Sequence, residues 1–251
     1  MKIKDLLNET AIQEGPYDPH IFKAVFMAGA PGAGKTTTAK KLLSGTGLRH
    51  LNVDDFYNLM RHKGRASGDQ NKDYEASWKT YRGLEELLRQ GRIGLIIDGT
   101  AKNPEKMADV KADLEEMGYE TAMIFVNSSL ETSLKRATER SQRPGPDFGR
   151  VTSPKHIEDT WNKVQKGIGS LQNLFGARFF VIDAERPDAN INYVDKSIRS
   201  WLNTPVKTQA ARQWLSDPKA AQKQTSTKPA KDEPAQTTGQ RPAEPETPKE
   251  V

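Results

Sequence analysis

Between residues 22 and 203 the chain alternates short apolar runs with stretches whose apolar positions recur at helical spacing. Residues 22–28, Phe-Lys-Ala-Val-Phe-Met-Ala, predict a buried strand, and residues 35–44 a helix. Leu51-Asn52-Val53 is too short to read by pattern alone, but it falls where a second strand is expected. Residues 93–97 predict a strand ending at Asp98. Asn103-Pro104 then supplies a cap followed by proline at the first helical position, and Gly118 a stop. Further strands are predicted over 119–126 and 178–183, and helices over 129–140, from Ser153-Pro154 onward, and over 190–202. Tyr74, Trp78, Tyr81, Leu84 and Leu88 mark the apolar face of another helix. Strands separated by helices imply a parallel sheet covered on both faces.

The pattern fails from Thr204 onward, where seven of the fifteen prolines lie among Lys, Glu, Gln, Thr and Ala, and Trp214 is the sole aromatic. This divides the chain into an N-terminal extension (1–20), a catalytic-size domain (21–203) and a tail (204–251) expected to be disordered. The tail's charges are mixed without a block, which reads as a spacer, and no motif in it supports a protein partner. The formal charge of +5 gives no strong address for nucleic acid. Absence of cysteine excludes disulfides, thiolate metal sites and cysteine nucleophiles. No run reaches membrane-spanning length and the first residues lack an apolar signal core, so a cytoplasmic protein without a membrane partner is expected.

The chemistry concentrates at Gly29-Ala30-Pro31-Gly32-Ala33-Gly34-Lys35-Thr36. This is the G-x-x-x-x-G-K-[ST] spacing between a strand and a helix, the context the motif needs. The glycines let backbone N–H groups close around phosphate oxygens, and the helix N-terminus adds positive partial charge. Lys35 is expected to reach the β- and γ-phosphates of ATP or GTP and Thr36 to place its hydroxyl on Mg²⁺, with Thr37 completing the nucleotide-binding set.

Two acidic positions follow strands that would end at the same sheet edge, where ligands bind in open α/β folds. In Asn52-Val53-Asp54-Asp55-Phe56, Asp54 is the candidate general base and Asp55 a candidate helix cap. In Asp98-Gly99-Thr100, Asp98 suits a metal-bound water, an acceptor or a basic neighbour, and Thr100 suits donation to the acceptor; a turn bonding its own backbone is the plain alternative. Arg136 and Arg140 share a helix face near Arg143 and Arg150, a candidate lid that would neutralise the transferring phosphoryl group. Arg61, in the run Arg61-His62-Lys63-Gly64-Arg65, is a candidate for an acceptor phosphate, or part of a solvated insertion, since the neighbouring Ser67, Gly68, Asp69, Gln70 and Asn71 predict a mobile loop. Trp78 reads as core, and the four histidines show no metal spacing.

In this order the motifs resemble the zeta-toxin and polynucleotide-kinase-like branch of the P-loop kinases. The likeness spans about 22–183 and rests on the phosphate loop, Asn52-Val53-Asp54-Asp55-Phe56, Asp98 with Thr100 and Asn103-Pro104, and Arg136 with Arg140. Asp98-Gly99-Thr100, followed later by Gly118-Tyr119-Glu120, is equally similar to zeta toxins, which phosphorylate an amino-sugar nucleotide. The resemblance implies a three-layer α/β P-loop NTPase fold with an arginine-bearing lid, Asp54 activating the acceptor hydroxyl, and lid arginines on the donor phosphates. Polynucleotide kinases carry an acceptor-phosphate arginine where this chain has Tyr57 and Asn58. The expected activity is ATP-dependent phosphoryl transfer to a hydroxyl of a nucleotide-like or polynucleotide acceptor. A nucleotide-dependent switch that phosphorylates nothing is the reading from another class.

Overall fold

The computed structural model describes residues 20–62, 64, 66–142 and 152–216. Its elements run β1 (Lys23–Ala28), α1 (Lys35–Leu43), β2 (Arg49–Leu51), α2 (Val53–His62), α3 (Gln70–Gln90), β3 (Leu95–Asp98), α4 (Pro104–Glu116), β4 (Glu120–Asn127), α5 (Leu130–Gln142), α6 (Pro154–Phe175), β5 (Phe179–Asp183), α7 (Ile191–Leu202) and α8 (Gln209–Ser216). The five strands form one parallel sheet in the order β2-β3-β1-β4-β5. The central strand β1 therefore delivers the phosphate loop between β3 and β4, with acidic strand ends on one side and α5 on the other.

Alternation along the strands splits the core into two layers. Ala24, Phe26, Leu95, Ile97, Met123 and Phe125 face one side, packed under Leu84 and Leu88 of α3, Leu114 of α4, and Val164 and Leu171 of α6. Val25, Met27, Ile96, Ile124 and Ile182 face the other, under Leu42 of α1 and Val194 and Ile198 of α7. Strands covered on both faces are largely apolar, as β1 is from Ala24 to Ala28; its one buried charge, Lys23, is paired with Glu120 at the start of β4. This is the three-layer α/β fold. Among the described residues no helix is long and apolar enough to cross a membrane.

The expected caps at the two proline helices are present: Asn103 accepts from the Lys106 N–H at 3.1 Å and Ser153 from the His156 N–H at 3.2 Å. Three readings change. The second strand precedes Asn52, and Val53 already begins α2. Asn71, placed by its polar neighbours in a loop, belongs to α3, because Asp69 accepts from the Asn71 and Lys72 N–H groups and starts that helix. The segment from Thr204 to Ser216, assigned by composition to the tail, packs on the domain. Lys207 N–H donates to Glu120 Oε1 at 3.0 Å, Thr208 Oγ1 to the Gly118 carbonyl at 2.7 Å, Ala211 is fully buried, and Trp214 meets Phe22 edge-on at 5.4 Å. Two hydrogen bonds and two apolar contacts within a dozen residues hold a segment whose average composition is polar. Most of the expected N-terminal extension and the tail beyond 216 lie outside the described residues.

Candidate active site

The phosphate loop is held by contacts that only glycine permits. At Gly32, with φ of +81°, a Cβ would meet the backbone carbonyl of Ser133 in α5. At Gly29, a Cβ would meet the carbonyl of Val126 in β4. The Gly29 N–H donates to the Thr100 carbonyl at 3.3 Å, which ties the start of the loop to the turn after β3. Ala30 and Ala33 are buried and Pro31 is half-buried, while Thr36 and Thr37 are exposed at the first turn of α1. Lys35 Nζ donates to the Gly29 and Ala30 carbonyls, each at 3.1 Å. Burial pulls the Lys35 ammonium below the ordinary lysine range; the Asp98 carboxylate pulls it back up, the Arg140 guanidinium pushes it down, and Asp54 pulls it up. These four charged residues, distant in sequence, thus share one electrostatic neighbourhood.

On the acidic side, Asn52 rather than Asp55 caps α2. Its Oδ1 accepts from the Asp54 N–H at 2.9 Å, leaving Asp54 in the first turn, half-buried, and Asp55 exposed. Asp98 ends β3 with a side chain 4 % exposed; its Oδ2 accepts from Asn52 Nδ2 at 3.1 Å and lies 3.5 Å from His50 Nε2. Gly99 N–H donates to the Met27 carbonyl at 3.1 Å, so the Asp98-Gly99-Thr100 turn is laced to the end of β1.

On the basic side, Arg136 donates through Nη1 to the Ala33 carbonyl at 3.3 Å and through Nη2 to the Ala184 carbonyl at 3.0 Å. Arg140, one turn later, acts on Lys35 as above. Arg143 and Arg150 lie outside the described residues. Arg61 stands two turns beyond Asp54 on α2, its guanidinium 5.8 Å from the centroid of Tyr57. Tyr57, Tyr74, Trp78 and Tyr81 form a chain of edge-on contacts between α2 and α3. Trp78, expected in the core, is 37 % exposed between Tyr74 and Tyr81 in that chain. Among the described residues no group of three or more His, Asp or Glu side chains could hold a metal ion.

A protein-family model described as Zeta toxin matches residues 11–199, three quarters of the chain. The chain belongs to the zeta toxin family. This zeta-toxin family member is also similar to the adenylate kinase of Lactobacillus johnsonii, 22 % identical over 196 residues that cover 73 % of this chain and 84 % of that one. To adenylate kinase isoenzyme 1 of Sus scrofa it is 24 % identical over 146 residues, 54 % of this chain and 74 % of the relative. Among solved structures, the AvrRxo1-ORF1:AvrRxo1-ORF2 structure with sulphate ions matches with a TM-score of 0.54 at 16 % identity, covering 88 % of this chain and 83 % of that chain. A protein of Chloroflexus aurantiacus matches with a TM-score of 0.53 at 16 % identity, covering 72 % and 95 %. These structures share the fold. The zeta-toxin family member is a P-loop kinase.

Three site residues of this zeta-toxin family member escaped the sequence reading. Asn52 carried a signal, an Asn directly before a helix, but the Asp pair drew the cap assignment. His50 and Ala184 carried none: one is a lone histidine in a three-residue strand, the other contributes a backbone carbonyl.

Proposed function

We propose that this kinase transfers the γ-phosphoryl group of ATP, or of GTP, to a hydroxyl of a nucleotide-like or polynucleotide acceptor. The observation that carries this reading is the shared field of Lys35, Asp98, Arg140 and Asp54 at the mouth of the phosphate loop. Cations there match the donor phosphates and carboxylates match the acceptor hydroxyl. Lys35 would exchange the Gly29 and Ala30 carbonyls for β- and γ-phosphate oxygens, with the loop N–H groups around them. Asp54 accepts the hydroxyl proton as the acceptor oxygen bonds to the γ-phosphorus and the bridging oxygen leaves with the nucleoside diphosphate. Asp98 and Thr100 orient the acceptor, Arg61 binds an acceptor phosphate, and Arg136 and Arg140 offset charge on the moving phosphoryl group. The exposed Thr36 hydroxyl fits Mg²⁺, which phosphates and water ligate more than protein does and which shields the phosphate charge.

Membership of the zeta toxin family favours one acceptor in particular, an amino-sugar nucleotide. Incubation with Mg²⁺ and γ-labelled ATP against separate pools of 5′-hydroxyl oligonucleotides, nucleosides and nucleotides, and amino-sugar nucleotides tests the proposal, with Asp54→Asn as control. Label in one pool that the variant does not transfer names the acceptor. Label released only as free phosphate sinks the transfer reading in favour of a nucleotide-dependent switch.

A further inference from the structure

β2 and β3 pair with Leu51 opposite Ile97, so the next residues on the two strands, Asn52 and Asp98, emerge side by side at the edge of the sheet. The Asn52 carboxamide uses both ends there. Its Nδ2 donates to Asp98 Oδ2 at 3.1 Å and its Oδ1 accepts from the Asp54 N–H at 2.9 Å. A carboxylate only accepts and a backbone N–H only donates, so these partners determine which end of the amide faces which. Asp98 is nearly buried, and its Oδ2 also has His50 Nε2 at 3.5 Å. The carboxylate is therefore enclosed rather than free to turn toward water.

We propose that Asn52 is a positioning residue for phosphoryl transfer, locking the Asp98 carboxylate to the first turn of α2 so that Asp98 and Asp54 are presented as one unit. This rests on the reading of Asp54 as the acceptor-side base. A plain cap would not require asparagine, because Ser, Thr and Asp satisfy a helix N-terminus about as well. A Ser or Thr hydroxyl also accepts and donates, but from a single oxygen close to the backbone; the Asn52 amide puts its donor on a second atom, which reaches the Asp98 carboxylate while its oxygen holds the helix N–H. Asp54 and Asp98 both act on Lys35, so a shift of either carboxylate changes the geometry around the transferring group. Displacements of about 1 Å at such a centre cost on the order of 100-fold in rate.

The test separates the two ends of the amide. Asn52→Ser and Asn52→Asp both keep an oxygen for the Asp54 N–H; Ser cannot reach Asp98, and Asp meets it with like charge. Both are expected to lower kcat for acceptor phosphorylation about tenfold to 100-fold, with Asp the more severe, while the Kd for Mg-ATP stays within about twofold. Wild-type kcat in both variants, with loss only in Asn52→Ala, would mean that Asn52 is a cap and nothing more, and would overturn the proposal. If the wild-type protein phosphorylates no acceptor, the functional reading fails by itself, and crystal structures decide the positioning separately. In Asn52→Ser the Asp98 carboxylate should have turned away from the N-terminus of α2; an unmoved carboxylate overturns the proposal.

Discussion

The Arg136 guanidinium donates to the carbonyl of Ala33 at 3.3 Å, joining α5 to the inside of the phosphate loop, and its other arm holds the Ala184 carbonyl after β5. The fork is used for assembly as well as charge. Arg136→Lys keeps the charge but cannot span two carbonyls. It should cost about 2 kcal/mol in denaturant unfolding and weaken nucleotide binding. Arg140→Ala, at the neighbouring arginine that acts on Lys35, should lower kcat by about 1,000-fold, a larger loss of rate than Arg136→Lys gives. Matching effects of the two substitutions on rate would contradict this division.

Gly32 sits where the loop passes under α5 with φ of +81°, and a side chain would press on the Ser133 carbonyl. Gly32→Ala should therefore destabilise the fold by about 1–3 kcal/mol through backbone strain. It should also raise the Kd for nucleotide at least tenfold by about the same energy, read by titration calorimetry. Gly45, with nothing near its Cβ position, is the control: its φ of +75° carries the strain of substitution without the contact, so nucleotide affinity should survive there.

At the sheet edge opposite the phosphate loop, buried Lys23 and Glu120 pair at 2.7 Å, with Lys23 also donating to the Trp201 carbonyl and Thr204 Oγ1. Burial alone would push the Glu120 carboxyl up. The Lys23 hydrogen bond, the Lys207 N–H and the charges of Lys23 and Arg178 together hold it below the ordinary range. A folded value below the unfolded one means the contribution is complete above about pH 4.3 and is lost as pH falls through the folded value. Glu120→Gln should cost about 3 kcal/mol at pH 7, and the gap from wild type should close below about pH 4. A gap independent of pH in denaturant melts would exclude this ion pair as its source.

Trp214 covers Phe22 from α8, and its Nε1 is buried with no hydrogen-bond partner among the described residues. Trp214→Ala should lose about 2 kcal/mol, a cavity effect reduced by partial exposure. Trp214→Phe should stay within about 1 kcal/mol, because it surrenders no hydrogen bond. Equal melting temperatures for wild type and Trp214→Ala would show that α8 contributes nothing to the domain.

The sequence by itself determined the strand-and-helix alternation, the proline helices and the phosphate loop. Each depends on neighbours a few residues apart: Asn103 caps Lys106, and eight contiguous residues carry the loop's chemistry. The motif residues Asp54, Asp98 and Arg140 were also legible as candidates, since their residue types announce charge. Tertiary structure alone decided that Asn52 spans 46 residues to Asp98, that Arg136 reaches back to Ala33 and forward to Ala184, and that 204–216 belongs to the domain. Those contacts follow from the strand order β2-β3-β1-β4-β5 and its register. A register is set by the burial of both sheet faces at once, a sum over distant residues that no local pattern contains.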